Sequence, residues 1–125
     1  MRPFTAISFL TALIFSTPTP AEEGTAEFLR NQSETQLLLN GTKLQGTYLR
    51  TQSPYFLEFR QDGTLINQRG AQGRWWVNEQ GQYCRQWETG MLKGHQACLD
   101  LARDGDGIAI YSEGKRVAEG ALLRK

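Results

Sequence analysis

The sequence predicts a mainly β domain: an antiparallel meander of about eight strands, forming a small up-and-down barrel or barrel-like sheet, with one short N-terminal helix. Three observations carry this prediction. After Gly41 the chain breaks into short strand-like runs separated by turn pairs such as Asp62-Gly63, Asp104-Gly105 and Glu113-Gly114. Each link is short enough for a hairpin, so sequential strands pair antiparallel. Only one stretch downstream of the N-terminal leader, residues 22–40, carries helical spacing. A meander of this kind loses its exposed edges by closing on itself.

The chain opens on a leader. Arg2 supplies a basic start, residues 4–15 are largely apolar, and the proline-bearing stretch 16–21 ends in Ala21 before Glu22-Glu23. That order is the pattern of a secretory signal peptide. The apolar run is shorter than the roughly 20 residues needed to span a bilayer. Cleavage is expected after Ala21, giving a signal peptide 1–21 and a single β-rich domain 22–125. An amphipathic helix of the fold would carry a polar face, which this run lacks. No cysteine stands near the cleavage site to take a lipid anchor.

The helix is expected over residues 25–39, with Thr25 as its cap, a break around Ser33 and Asn40-Gly41 as its stop. Strands follow at 46–51, 55–60, 64–69, 74–78, 82–88, 95–101, 108–112 and 116–123. The Gln61-Asp62-Gly63 turn has the glycine that a hairpin bend at positive φ needs. Barrels of this size are usually filled by their own side chains, although a lipocalin-like cavity is also open to them.

Composition narrows the function classes. The 125 residues are 39% hydrophobic and 22% charged, with 13 glycines and two cysteines. These values fit one globular domain and exclude collagen-like, disulfide-dense and highly charged disordered chains. Lysine and arginine total 14 against 13 acids, a formal charge of +1. Removing the leader takes away Arg2 and no acid, leaving a balanced chain. Nothing in that balance points to nucleic acid or an anionic membrane surface.

Cys84 and Cys98 are the only cysteines. In an exported chain they are expected to pair. Direct opposition on neighbouring strands makes a consistent register. Tyr83, Arg85 and Trp87 then share a face with Ala97, Leu99 and Leu101, and the bridge falls on the more polar face. A three-residue turn at 79–81 further places Trp76 opposite Cys84. A redox-active pair would need closer spacing and a thiolate-stabilising neighbourhood.

Candidate binding residues are Arg85, Trp75, Trp76 and Trp87. Large aromatics on adjacent strands are a stacking platform for ligands, though they serve more often as core. Arg85 among them either stacks on an indole or points into a cavity to hold an anionic ligand. His95, the single histidine, has no nucleophile motif beside it and no co-ligands at metal spacing, so neither a catalytic residue nor a metal or other cofactor is expected. Asp104, Asp106, Gly107 and Glu113 match several positions of a calcium loop, but Ala102 stands where its first aspartate belongs and the flanks read as strands. The plain reading is a hairpin turn. Asn31 and Asn40 begin glycosylation sequons that matter only in a eukaryotic secretory pathway.

The motifs Gly73-x-Trp75-x-Val77, Tyr83-Cys84-x-x-Trp87, Cys98 and Asp104-Gly105-Asp106-Gly107 together resemble an uncharacterised family of small exported, periplasmic β-rich proteins of Gram-negative bacteria with one Cys pair. Gly41-Thr42-Lys43-Leu44 resembles that family's element after the helix, and residues 55–63 its aromatic hairpin. The resemblance covers most of residues 25–123 and implies a periplasmic domain with no catalytic residues to carry over. A weaker similarity is to small periplasmic barrels that inhibit lysozymes or proteases. The expected function is therefore a non-enzymatic binding module, periplasmic or secreted, for a protein partner or a small amphipathic ligand. The alternatives are a lysozyme or protease inhibitor presenting the 89–94 loop, and a small-molecule carrier with a barrel cavity. No nucleic-acid partner is expected, and no transmembrane segment after signal cleavage.

Overall fold

The computed structural model describes residues 26–124. The expected signal peptide and its cleavage point lie outside them. Among the described residues, β1 (Glu27–Phe28) and α1 (Gln32–Leu39) precede β2 (Thr42–Tyr48), β3 (Ser53–Phe59), β4 (Thr64–Asn67), β5 (Gln72–Val77), β6 (Tyr83–Trp87), β7 (Gln96–Asp104), β8 (Gly107–Ser112) and β9 (Lys115–Arg124). Each strand from β2 onward pairs antiparallel with the next, and β9 returns to pair with β2. The result is a closed eight-stranded up-and-down barrel with β1 as an extra strand.

The helix is shorter than its spacing suggests. Asn31, not Thr25, caps it: the Asn31 side-chain oxygen accepts from the Glu34 amide at 2.9 Å, as an N-cap residue should. Residues 27–29 ahead of it are extended for a reason set by β7. β6 stops pairing at Tyr83 opposite Leu99, whereas β7 runs on to Asp104. The backbone past Leu99 needs partners. Glu27 and Phe28 pair with Arg103 and Ala102, and the Leu29 amide donates to Leu101 at 2.8 Å. Strand alternation then sends neighbouring apolar residues opposite ways. Leu29 is buried in the core, while Phe28 packs on Tyr111 with ring centroids 4.8 Å apart.

The first barrel strand begins at Thr42, ahead of the expected 46, because Thr42 and Leu44 already alternate inward opposite Phe59 and Leu57. Gly46 is therefore mid-strand and directly opposes Gly120. A β-carbon on Gly46 would fall 1.9 Å from the Glu119 carbonyl oxygen, and one on Gly120 would fall 2.4 Å from that of Gln45. The two glycines let β2 and β9 cross closely where the wall bends.

α1 closes one end of the barrel. Thr35, fully buried, donates its hydroxyl to the Gly81 carbonyl at 2.9 Å, and Gln32 donates to Val77 at 2.9 Å. Both acceptors lie at the β5–β6 turn. Gly81 there has φ +82°, and its α-carbon side abuts Arg30 and Asn31 so closely that a β-carbon would lie 2.5 Å from backbone. Leu39 caps the core from above, and Phe59 sits edge-on to both Trp75 and Tyr83, with centroids 5.4 Å and 5.2 Å apart. Aromatic edges meeting faces at these distances are the favoured packing.

Cys84 and Cys98 form a disulfide across directly opposed positions of β6 and β7. Tyr83 faces Leu99, Arg85 faces Ala97, and Trp76 of β5 lies opposite Cys84. The bridge thus sits on the outer wall with Trp76, and the inner wall is left to the aromatic and aliphatic residues. The Asp104–Gly107 segment is a two-residue hairpin turn with Gly105 at φ +62°. The Asp104 carboxylate is engaged by Arg116, so it serves a wall contact and not a calcium loop. No helix among the described residues is long and apolar enough to cross a membrane.

Candidate functional site

The end of the barrel opposite the helix is open. A cavity of about 770 Å3 descends from this mouth, within the range of small-molecule sites, roughly 300–1,000 Å3. Its position follows from the meander. The β2–β3, β4–β5 and β6–β7 connections all lie at this end and contribute Arg50, Arg69 and Leu92, respectively, to the rim.

Inward alternation supplies the wall. On β2 and β3, Tyr48, Tyr55 and Leu57 face the interior, and Tyr48 stacks on Tyr55 with centroids 5.9 Å apart and planes 28° from parallel. Leu57 is fully buried and forms part of the floor. On β6 the inward residues are Tyr83, Arg85 and Trp87. Trp87 is buried and lines the cavity, and the Arg85 guanidinium carbon lies 5.8 Å from its ring centroid. That is cation–π range. Arg85 therefore stacks on an indole and lines the cavity at once.

The electrostatics of the mouth are one-sided. Arg50, Arg69 and Arg85 line it, and no aspartate or glutamate does. Arg50 lies over Tyr48, and Arg69 donates to the Met91 sulfur at 3.5 Å. Arg85 has His95 Nδ1 at 3.3 Å. None of the three takes part in an ion pair among the described residues, although Arg60, Arg103 and Arg116 each do. The shallow depression around Arg116 makes the contrast plain. Its lining cation is held between Asp104 and Glu119, so its charge is already neutralised.

Two phenols lie below the mouth. Tyr83 is fully buried, and its hydroxyl makes no hydrogen bond. Burial raises its pKa well above 10, and the neighbouring Tyr55 phenol raises it further. Arg85 is close enough to pull that pKa down, yet no guanidinium N–H meets the oxygen at bonding geometry. Tyr55 is pushed up to about 12 by burial, again against the pull of Arg85. Both phenols are thus neutral donors at ordinary pH.

The four candidate residues from the sequence separate. Arg85 and Trp87 come together at the cavity. Trp75 lies directly opposite Arg85, but its indole turns to the closed end, donating to the Arg60 carbonyl at 2.9 Å. Trp76 stands on the outer wall, 36% exposed, beside the disulfide. His95 flanks Arg85 at the rim, and among the described residues no carboxylate or thiol is paired to it. Among the described residues, no group of three or more His, Cys, Asp or Glu is placed to hold a metal ion. Sequence reasoning missed Tyr48, Tyr55 and Leu57 as cavity wall, and Arg50 and Arg69 as rim cations. The alternation of Tyr55, Leu57 and Phe59 was a usable signal for the wall. No sequence signal said which end the helix would close.

No family model matches the chain, and neither a curated protein nor a solved structure is significantly similar to it.

Proposed function

We propose that this protein is an exported, non-enzymatic binding barrel that holds a small amphipathic molecule in its open mouth. The observation that carries the reading is the cavity of about 770 Å3 facing away from the helix plug. Close-packed interiors rarely leave such a volume unfilled. Its wall combines buried aliphatic and aromatic surface at Leu57 and Trp87 with polar groups at the rim, the mixture that ligand pockets use. The 89–94 loop, which an inhibitor would present outward, here contributes Thr89, Gly90, Met91 and Leu92 to the cavity's rim. That favours containment of a ligand over insertion into an enzyme.

Export and a periplasmic address belong to the same proposal. They are supported by the leader pattern of residues 1–21 and by the disulfide, which persists in oxidising compartments. The resemblance to small exported proteins of Gram-negative bacteria points the same way. The mass of the protein recovered from its native host tests this part: a chain beginning at Glu22 is expected, and a retained leader would refute it.

The binding reading is tested with N-phenyl-1-naphthylamine, a neutral fluorophore that brightens in apolar sites. Saturable binding of one equivalent is expected. Ser53 lines the mouth opposite Tyr48, so Ser53→Trp, which fills it, abolishes the signal. Absence of saturable binding by the folded wild type would sink the proposal.

A further inference from the structure

We infer that the molecule held in the mouth is an anionic amphiphile whose carboxylate is bound by Arg85, with its apolar body lying against Leu57 and Trp87 and towards Leu92. This rests on the binding reading above and adds the ligand's charge and orientation to it.

The argument starts from the lining. A whole chain near charge balance presents three arginines and no acid to one cavity. Such a concave, low-dielectric surface concentrates counterions of the opposite sign. Rim cations explain attraction, but they do not explain a headgroup position. Arg85 does. It projects from the inner wall of β6, two residues from Trp87, and is half-buried. Its neighbours are an indole face and a histidine nitrogen, neither of which supplies a negative charge. A guanidinium held away from bulk water without a carboxylate leaves its fork of N–H donors available, and a carboxylate fits that fork with two parallel bonds.

A second observation points to the same spot. The Tyr83 hydroxyl, fully buried two residues along the same wall, has no acceptor. Buried donors in native proteins are normally satisfied, and an orphan is commonly explained by a missing ligand or water. The Tyr83 ring lies beneath the cavity lining, close enough to Arg85 for the guanidinium to act on its phenol, so a carboxylate on Arg85 would offer an acceptor oxygen on that donor's side of the wall. At the other end of the cavity, Met91 and Leu92 are 85% and 50% exposed on the rim. These are large apolar side chains with nothing to cover them among the described residues. An alkyl or aryl body running from Arg85 past Trp87 towards the mouth would lie along Leu92.

The experiment is displacement of N-phenyl-1-naphthylamine by three probes of equal chain length: dodecanoate, dodecanol and dodecyltrimethylammonium. Dodecanoate is expected to compete about 10–100-fold better than dodecanol, the value of a charge-assisted hydrogen bond, and the cation worst. In Arg85→Gln, dodecanoate falls to the level of dodecanol while dodecanol is unchanged. Arg85→Lys recovers part of the preference through charge without the fork. Equal competition by all three probes on the wild type would overturn the anion inference and leave the binding barrel standing. Failure of the fluorophore itself to bind would overturn both. The wild-type comparison needs no variant, so a misfolded Arg85→Gln does not blunt it.

Discussion

Replacing Tyr83 with phenylalanine should make the free protein more stable. Tyr83 is fully buried, its ring packs edge-on to Phe59, and its hydroxyl has no hydrogen-bond partner. An unsatisfied buried donor costs about 1–3 kcal/mol, whereas its apolar isostere carries no such penalty. Phenylalanine keeps the ring and removes only the oxygen. A gain of about 1–2 kcal/mol is expected, allowing for the small void the oxygen leaves. For a domain of this size, each kcal/mol moves the midpoint by roughly 4–8 °C. Calorimetric or circular-dichroism melts of ligand-free Tyr83→Phe beside wild type read this directly. The same substitution removes a donor from the proposed carboxylate site, so dodecanoate binding weakens several-fold as stability rises, the trade-off expected where a site is held in a costly state. A melting point equal to or below wild type would refute the reasoning, because it would mean that the hydroxyl has a partner in solution.

Other consequences follow from the walls and turns. Removing the disulfide as Cys84→Ala/Cys98→Ala frees a closed loop of about 15 residues and should cost about 3 kcal/mol, seen as a midpoint lowered by roughly 10–20 °C; an unchanged melt would deny the bridge a structural role. Gly46→Ala forces a β-carbon onto the Glu119 carbonyl and should destabilise by about 1–3 kcal/mol, as overpacking does, measured by urea unfolding. Asp62 has its pKa lowered below 3.8 chiefly by the Thr64 amide, which donates to it at 2.9 Å. Its contribution is therefore present above about pH 4 and lost as pH falls through the lowered folded value, so Asp62→Asn should flatten the acid limb of the stability curve. Tyr55 and Tyr83 have raised values. Their contribution is whole below about pH 10 and lost as pH rises through the folded values, about 12 for Tyr55. Phenolate absorbance should show Tyr55 titrating at about 12 and Tyr83 well above the ordinary phenol range.

Much of the wall was legible in the sequence. The Cys84–Cys98 register could be read because two constraints met there: a disulfide needs opposed positions, and alternation needs Tyr83, Arg85 and Trp87 on the inside. That same register puts Trp76 on the outer face with the bridge. The helix was less legible. Phe28 and Leu29 suit a helix locally, and what pulls them into extended pairing is the unpaired backbone of β7 beyond Leu99, a demand made from more than seventy residues away. Gly46 looked like a strand boundary because glycine usually is one, whereas here it is a crossing point fitted against Gly120.

The site was legible in part for a different reason. Charge balance gave no sign of a nucleic-acid surface, but a total says nothing about distribution. Arg50, Arg69 and Arg85 come from three separate segments that meet only when the barrel closes. Trp75 and Trp87 share the inner face, and only packing decides that one indole turns to Arg60 at the plug while the other lines the mouth. Which end remains open depends on where α1 docks, and the hydrogen bonds from Thr35 and Gln32 to the β5–β6 turn set that.

The central claim is that a small molecule enters the mouth and stops at Arg85, and the three tryptophans report on it independently. In an amide-and-indole NMR titration with dodecanoate, the Trp87 indole and the amides of Tyr48, Leu57 and Arg85 should shift together and saturate at one equivalent. The Trp76 indole on the outer wall and the amides of Thr35 and Gly81 at the plug should stay in place. Shifts centred on Trp76 or on the helix end, or no saturable shift at Trp87, would contradict the account.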